Sequence, residues 1–202
     1  AALAYFATRN RWGEARPKEA PRLESRHYCR ETMRLPAVWM GIGMFVLYTG
    51  MEMVPGQWAF SLFTVARGVP AEVAAAWVGF WYWGGFTLGR IAFGAIGDWM
   101  PFEMLLRISI VGGIVGAVLL AANPVPELGM VVIAGYGFFS APIWAMLMLN
   151  TQRKLGPDHA PHAIGFQVSA AAIGFGVLPA LAGTLAKSQG LESMPKCLIG
   201  LT

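Results

Sequence analysis

The chain has 202 residues, 56% of them hydrophobic and only 13% charged, with a formal net charge of +4. A soluble domain carries about 25% charged residues, so this composition excludes a water-soluble globular protein. It fits an all-α membrane protein, with lipid as the solvent for most side chains.

The opening residues 1–7, "AALAYF" onward, read as the last turns of a helix that begins upstream. Residues 8–34 alternate basic and acidic side chains with two prolines and almost no aliphatic residues. That pattern predicts a solvated linker carrying short helices on the membrane surface. Four glutamates interleave its eight arginines and lysines, and an apolar run follows at once, which argues against a nucleic-acid arm. Cys29 lies in this linker and Cys197 near the far end, on opposite sides of the membrane, so no disulfide is expected between them.

Five apolar stretches follow, near 36–63, 72–96, 104–122, 127–149 and 162–186, and a sixth begins at 194. Each of the five holds the roughly 20 residues that a crossing helix needs. Alternating them puts twelve of the fifteen basic residues on one side, including all eight of the linker with Arg90, Arg107, Arg153 and Lys154. Positive charge marks the cytoplasmic face. Residues 8–34 are therefore assigned to the cytoplasm, in a plasma or bacterial inner membrane.

The first stretch contains "YTGMEMVPGQWAF", in which Glu52 is the one acid at hydrocarbon depth. An ionisable group at the bilayer centre costs about 3 kcal/mol on insertion scales, and each Leu, Ile, Phe or Val returns roughly 0.3–0.6 kcal/mol. The helix can insert, but Glu52 should face a cavity or a partner. Tyr48, four residues earlier on the same face, is the nearest candidate partner. Pro55 cannot donate to the carbonyl of Met51, so Pro55-Gly56 predicts an interrupted helix with a free acceptor.

The second stretch carries the aromatic cluster "WYWGG" and then "LGRIAFGAIGD". Gly85 with Gly89, and Gly112 with Gly116 in the third stretch, are spaced for close helix packing. The fourth stretch repeats the first: "GFFSAPIW" (137–144) parallels "GMEMVPGQW" (50–58), and "IGFQ" (164–167) parallels "VGFW" (78–81). Trp58 to Trp144 and Gly79 to Gly165 are both 86 residues. An offset containing three spans reverses orientation, which predicts an inverted 3+3 repeat of the kind secondary transporters use. In such proteins the solute sits near the midplane at irregular helices, here expected at Pro55, Gly56 and Pro142.

Three passages resemble the C-terminal half of the major facilitator superfamily. "LGRIAFGAIGD" is similar to its Gly-Arg-x3-Gly-x3-Asp signature. "YTGMEMVPGQWAF", and "FFSAPIWAMLMLNTQRKLG" with "AIGFQVSAAAIG", resemble spans seven, ten and eleven of the fucose-permease-like branch. The resemblance implies one six-helix bundle of a twelve-helix permease: residues 1–7 ending span six, 8–34 the central linker, and 35–202 five complete spans with the start of a twelfth. It also implies alternating access against an N-terminal half that this chain does not contain, with sugar symport driven by a proton or sodium ion. Gly89, Arg90, Gly94 and Asp98 would form a cytoplasmic gate. The family has a basic residue after that Asp, whereas this chain has Trp99-Met100-Pro101.

A sugar presents apolar ring faces and paired hydroxyls, so its site should combine aromatic planes with amides and acids. The candidate solute-binding residues are Glu52, Gln57, Trp58, Trp81, Trp144, Asn150 and Gln167. His159 and His162 lack acid or Cys neighbours at metal-ligand spacing, and no nucleophile–base set or phosphate-cradling Gly loop is present. No enzyme chemistry, metal or cofactor is expected beyond a coupling ion. Two rivals remain open: a proton-coupled exporter of apolar compounds, and a non-transporting scaffold or truncated product.

Overall fold

A computed structural model of the protein describes residues 22–97, 99–123 and 128–202. The expected end of a preceding span at 1–7, the linker as far as residue 21, and Asp98 of the predicted gate lie outside the described residues. Every regular element among the described residues is a helix. Among the described residues three helical stretches are long and apolar enough to cross a membrane: Pro36–Ala66, Phe102–Ala122 and Gly129–Gln189. Large apolar side chains such as Trp39, Met40, Leu88, Ile91, Val111 and Ile173 face outward, over more surface than a soluble monomer leaves uncovered.

The described end of the linker is one of the short helices its composition predicts, and it packs on the protein. It forms α1, Arg22–Thr32: Thr32 Oγ1 lies 2.8 Å from His159 Nδ1, and Tyr28 meets the His159 ring edge-on at 5.8 Å. Leu35 is extended, and Pro36 opens α2, Pro36–Ser61, where its missing N–H costs nothing. The helix runs on through Pro55 and loosens only afterwards, into a π-helical turn at Leu62–Ala66. The expected break at Pro55-Gly56 is therefore absent, and its cause appears with the site below.

The stretch expected as a span near 72–96 lies in three pieces: α3, Ala71–Ala76, a π-helical turn Trp77–Tyr82, and α4, Trp83–Ile96. The widened turn falls on the aromatic cluster. It sends Tyr82 into the core and leaves Phe80 and Trp81 outside. α5, Phe102–Ala122, ends on Asn123 in the left-handed region at φ 42°, a helix-stop conformation that Asn tolerates. α6, Gly129–Ser140, stops at Ala141-Pro142, and α7, Ile143–Gln189, follows. The 61 residues of Gly129–Gln189 exceed one crossing about threefold. Within them Gly156 has φ 68° and ψ −178°, a backbone that needs glycine and turns the chain. α8, Ser193–Leu201, closes the described fold.

Glycines set the helix spacing. A Cβ on Gly85 or Gly89 would strike the carbonyls of Ala134 and Phe138, so α4 and α6 lie backbone to backbone and parallel. Gly112 seats the Phe139 ring and Gly116 the backbone of Tyr136, which sets α5 antiparallel to α6. Across the bundle, α2 runs parallel to the later part of α7: Gly41 packs on Gln167, Gly174 on Val46 and Thr49, and Gly183 on Trp58. A core of Phe45, Tyr48, Val54, Tyr82, Phe86 and Tyr136 fills the space between. Cys29 and Cys197 are both free thiols.

Candidate functional site

The site starts from the backbone that Pro55 disturbs. Its ring removes the N–H that would bond the carbonyl of Met51. That carbonyl does not point into open space as expected; the hydroxyl of Tyr136, from α6, donates to it at 3.1 Å. The hydroxyl of Tyr82 donates to the next carbonyl, Glu52 O, at 2.7 Å. Both tyrosines are completely buried. Tyr136 thus replaces the one donor the proline removes, Tyr82 adds a bond to the next carbonyl, and α2 continues. Tyr136→Phe would leave a buried carbonyl unpaired and is expected to cost about 1–3 kcal/mol, measured as a lowered unfolding midpoint in detergent. Phe at the exposed Tyr28, whose hydroxyl makes no hydrogen bond among the described residues, should leave that midpoint unchanged.

On the same turn the Glu52 side chain points inward and is 8% exposed. Its facing groups are the phenol of Tyr48 and the guanidinium of Arg90. Among the described residues the buried Tyr48 hydroxyl has no hydrogen-bond partner, and neither has the Ser140 hydroxyl at the α6–α7 break. Trp144 packs edge-on against Phe45 at 4.9 Å and tilts over Tyr48 at 5.8 Å. Arg90 lies over the Phe86 ring at 4.6 Å. In front of Trp144 and Arg90 opens a cavity of about 360 Å³ whose wall includes Pro142, Gly94 and Arg153. A buried acid, a cation, an unsatisfied phenol and an indole wall therefore meet where α2, α4 and α7 converge. That set can bind a polar solute or hold and pass a proton.

The other predicted residues scatter. Trp58 is half-buried and spends its indole N–H on Pro179 O at 2.8 Å, so it pins α2 to α7. Gln167 is 1% exposed. It accepts a hydrogen bond from Thr151 at 3.0 Å and packs on Gly41, so it is a strut between helices and faces no open space. Asn150 lines a separate crevice of about 50 Å³ with Met40, Gly41 and Lys154. Gln57 is exposed, and Trp81 lies in an outward groove with Leu88 and Val131. Gly56 lets α2 approach the Trp83 ring. Gly89 serves the contact with Phe138, while Gly94 and Arg90 line the cavity.

Sequence reasoning did not single out Tyr82, Tyr136 or Arg153 for the site, and it did not pair Arg90 with Glu52. A visible signal existed for the tyrosines, since a phenol inside an apolar run must find an acceptor. Among the described residues no three His, Cys, Asp or Glu side chains gather as a metal site. Comparisons with protein-family models, characterised proteins and solved structures give no match.

Proposed function

We propose that the protein is one half of a secondary active transporter of the major facilitator type. It would move a small polar solute, a sugar above all, by alternating access against a facing six-helix bundle. The observation that carries this reading is the carboxylate of Glu52, buried and turned inward within an apolar helix. Ionisable groups at that depth are costly and mark solute or ion pathways.

The packing supports an inverted repeat. α2 pairs with the later part of α7 and with α8, whereas α6 pairs with α4 and α5. The first helix of each three-helix set thus packs on the second and third of the other set. Trp58 seats on Gly183, and Trp144 shares the cavity wall with Gly97; the two tryptophans and the two glycines are each 86 residues apart. Five crossings follow if the segmented rod 71–96 spans as one unit and Gly156 ends the fourth. The linker and Arg153 then lie on the cytoplasmic side of the plasma membrane.

In this reading Trp144 offers a face to the sugar ring, and Glu52, with Tyr48 and Arg90 beside it, carries the coupling proton. The test is monosaccharide counterflow and concentrative uptake in proteoliposomes that hold the chain with its facing bundle. Glu52→Gln is expected to abolish concentrative uptake and leave counterflow. Trp144→Ala should weaken solute affinity about tenfold, the upper range for one aromatic face. The reading is lost if no monosaccharide exchanges saturably, or if Glu52→Gln leaves concentrative uptake intact.

A further inference from the structure

The cavity before Trp144 holds two positive charges. Arg90 enters from α4 and Arg153 from α7, and each guanidinium lies over an aromatic ring: Arg90 on Phe86 at 4.6 Å, Arg153 on Phe102 at 5.0 Å. Among the described residues the ion pairs are His27–Glu31 and Arg67–Glu192, and neither includes a cavity arginine. The carboxylate that faces Arg90, Glu52, is not part of the cavity wall.

The rest of the wall is apolar, with Phe93, Met100, Leu105, Met146 and Leu149. Leu149 is 39% exposed at the rim. Gly94 leaves open space, for a Cβ there would touch nothing. A small hydrated anion would satisfy the guanidiniums and leave those walls wet. An amphiphile satisfies both, with its anionic group on the arginines and its hydrocarbon along the apolar wall. Basic pockets between spans on the cytoplasmic side take anionic headgroups, and Arg153 with Lys154 belongs to the basic side of this chain.

We propose that this cavity is a binding site for an anionic phospholipid, whose phosphate is held by Arg90 and Arg153. The cavity shares its Trp144 wall with the proposed solute site, so lipid and solute would exclude one another there; lipid retention is measured without solute and so reads the site independently of transport.

The experiment is native mass spectrometry of the detergent-solubilised chain, given phosphatidylglycerol and phosphatidylcholine in equal amounts. A guanidinium near the surface contributes about fivefold towards an anionic lipid, so the pair should give a preference of about 25-fold for phosphatidylglycerol. Arg153→Gln and Arg90→Gln should each lower it about fivefold, and the double variant should bring it to parity. Arg153→Lys keeps the charge and should keep most of the preference, which separates loss of charge from loss of fold. Arg107→Gln, on the same side but off the cavity wall, should change nothing. The proposal is overturned by equal retention of the two lipids, or by an Arg107→Gln loss as large as that of Arg153→Gln. Displacement of phosphatidylglycerol by millimolar glycerol phosphate would also overturn it, since that marks a soluble-anion site.

Discussion

Glu192→Ala is expected to destabilise the fold more than removal of its partner, Arg67→Met. Arg67 follows the π-helical turn of α2, and its side chain is only 4% exposed. It donates from Nε and Nη2 to the two oxygens of Glu192, both at 2.9 Å, and Nη2 also reaches Leu120 O at 2.6 Å. Leu120 lies in the last turn of α5, where carbonyls lack helical donors, and Glu192 sits at the start of α8, where a negative charge is favoured. One guanidinium therefore ties together the ends of α2, α5 and α7–α8. Without Glu192 a buried cation keeps no counter-charge, and breaking such a pair costs about 3–5 kcal/mol; Glu192 is half-exposed, so water relief places the value near the lower end. Without Arg67 the carboxylate returns to water and the loss is mainly the Leu120 hydrogen bond, about 1–2 kcal/mol. Unfolding midpoints in detergent check the order. Equal midpoints for the two variants would show that the pair is a surface contact.

How much of this was legible in advance divides by the kind of physics involved. The helical, apolar class is a property of whole runs, and so is the depth that forces Glu52 inward. Glycine spacing in α4 and α5 was readable because a missing side chain permits close approach whatever the neighbour. Partners were not readable. Trp58 and Trp144 stand in matching letters, yet one indole is consumed by Pro179 O and the other walls a cavity. Gln167 looks like a solute ligand until Thr151 and Gly41 enclose it. Pro55 was expected to break its helix because the donor that replaces its N–H, the Tyr136 hydroxyl, comes from a distant stretch of chain. The docking of α1 depends on contacts between Thr32, Tyr28 and His159 more than a hundred residues away, which no local composition encodes.

The same repair gives the site its stiffness. Tyr82 and Tyr136 clamp the two carbonyls that bracket the Glu52 peptide, so the carboxylate is held by groups that take no part in its chemistry. Tyr48, one turn before, is 1% exposed and packed under Trp144, with no hydrogen bond among the described residues. Support of this kind holds a carboxylate in one geometry.

Adjacent glycines in α4 are expected to respond in opposite directions, which tests the helix spacing on which the site depends. At Gly84 a Cβ would meet nothing within 4 Å, whereas at Gly85 it would strike the carbonyl of Ala134 and at Gly89 that of Phe138. Gly84→Ala should therefore stabilise by up to about 1 kcal/mol, the helix-propensity difference. Gly85→Ala and Gly89→Ala gain the same propensity but must push α6 away, and backbone cannot rotate aside as a side chain can. Overpacking costs about 1–3 kcal/mol, so both should be net destabilising, and Gly89→Leu should lose about 3 kcal/mol or more. Separating α4 from α6 also draws Tyr82 and Tyr136 away from Met51 and Glu52, so Gly89→Ala and Tyr136→Phe should be less than additive when combined. Midpoints of the singles and the double decide it. Full additivity, or a Gly85→Ala as harmless as Gly84→Ala, would mean that α4 and α6 are not in backbone contact.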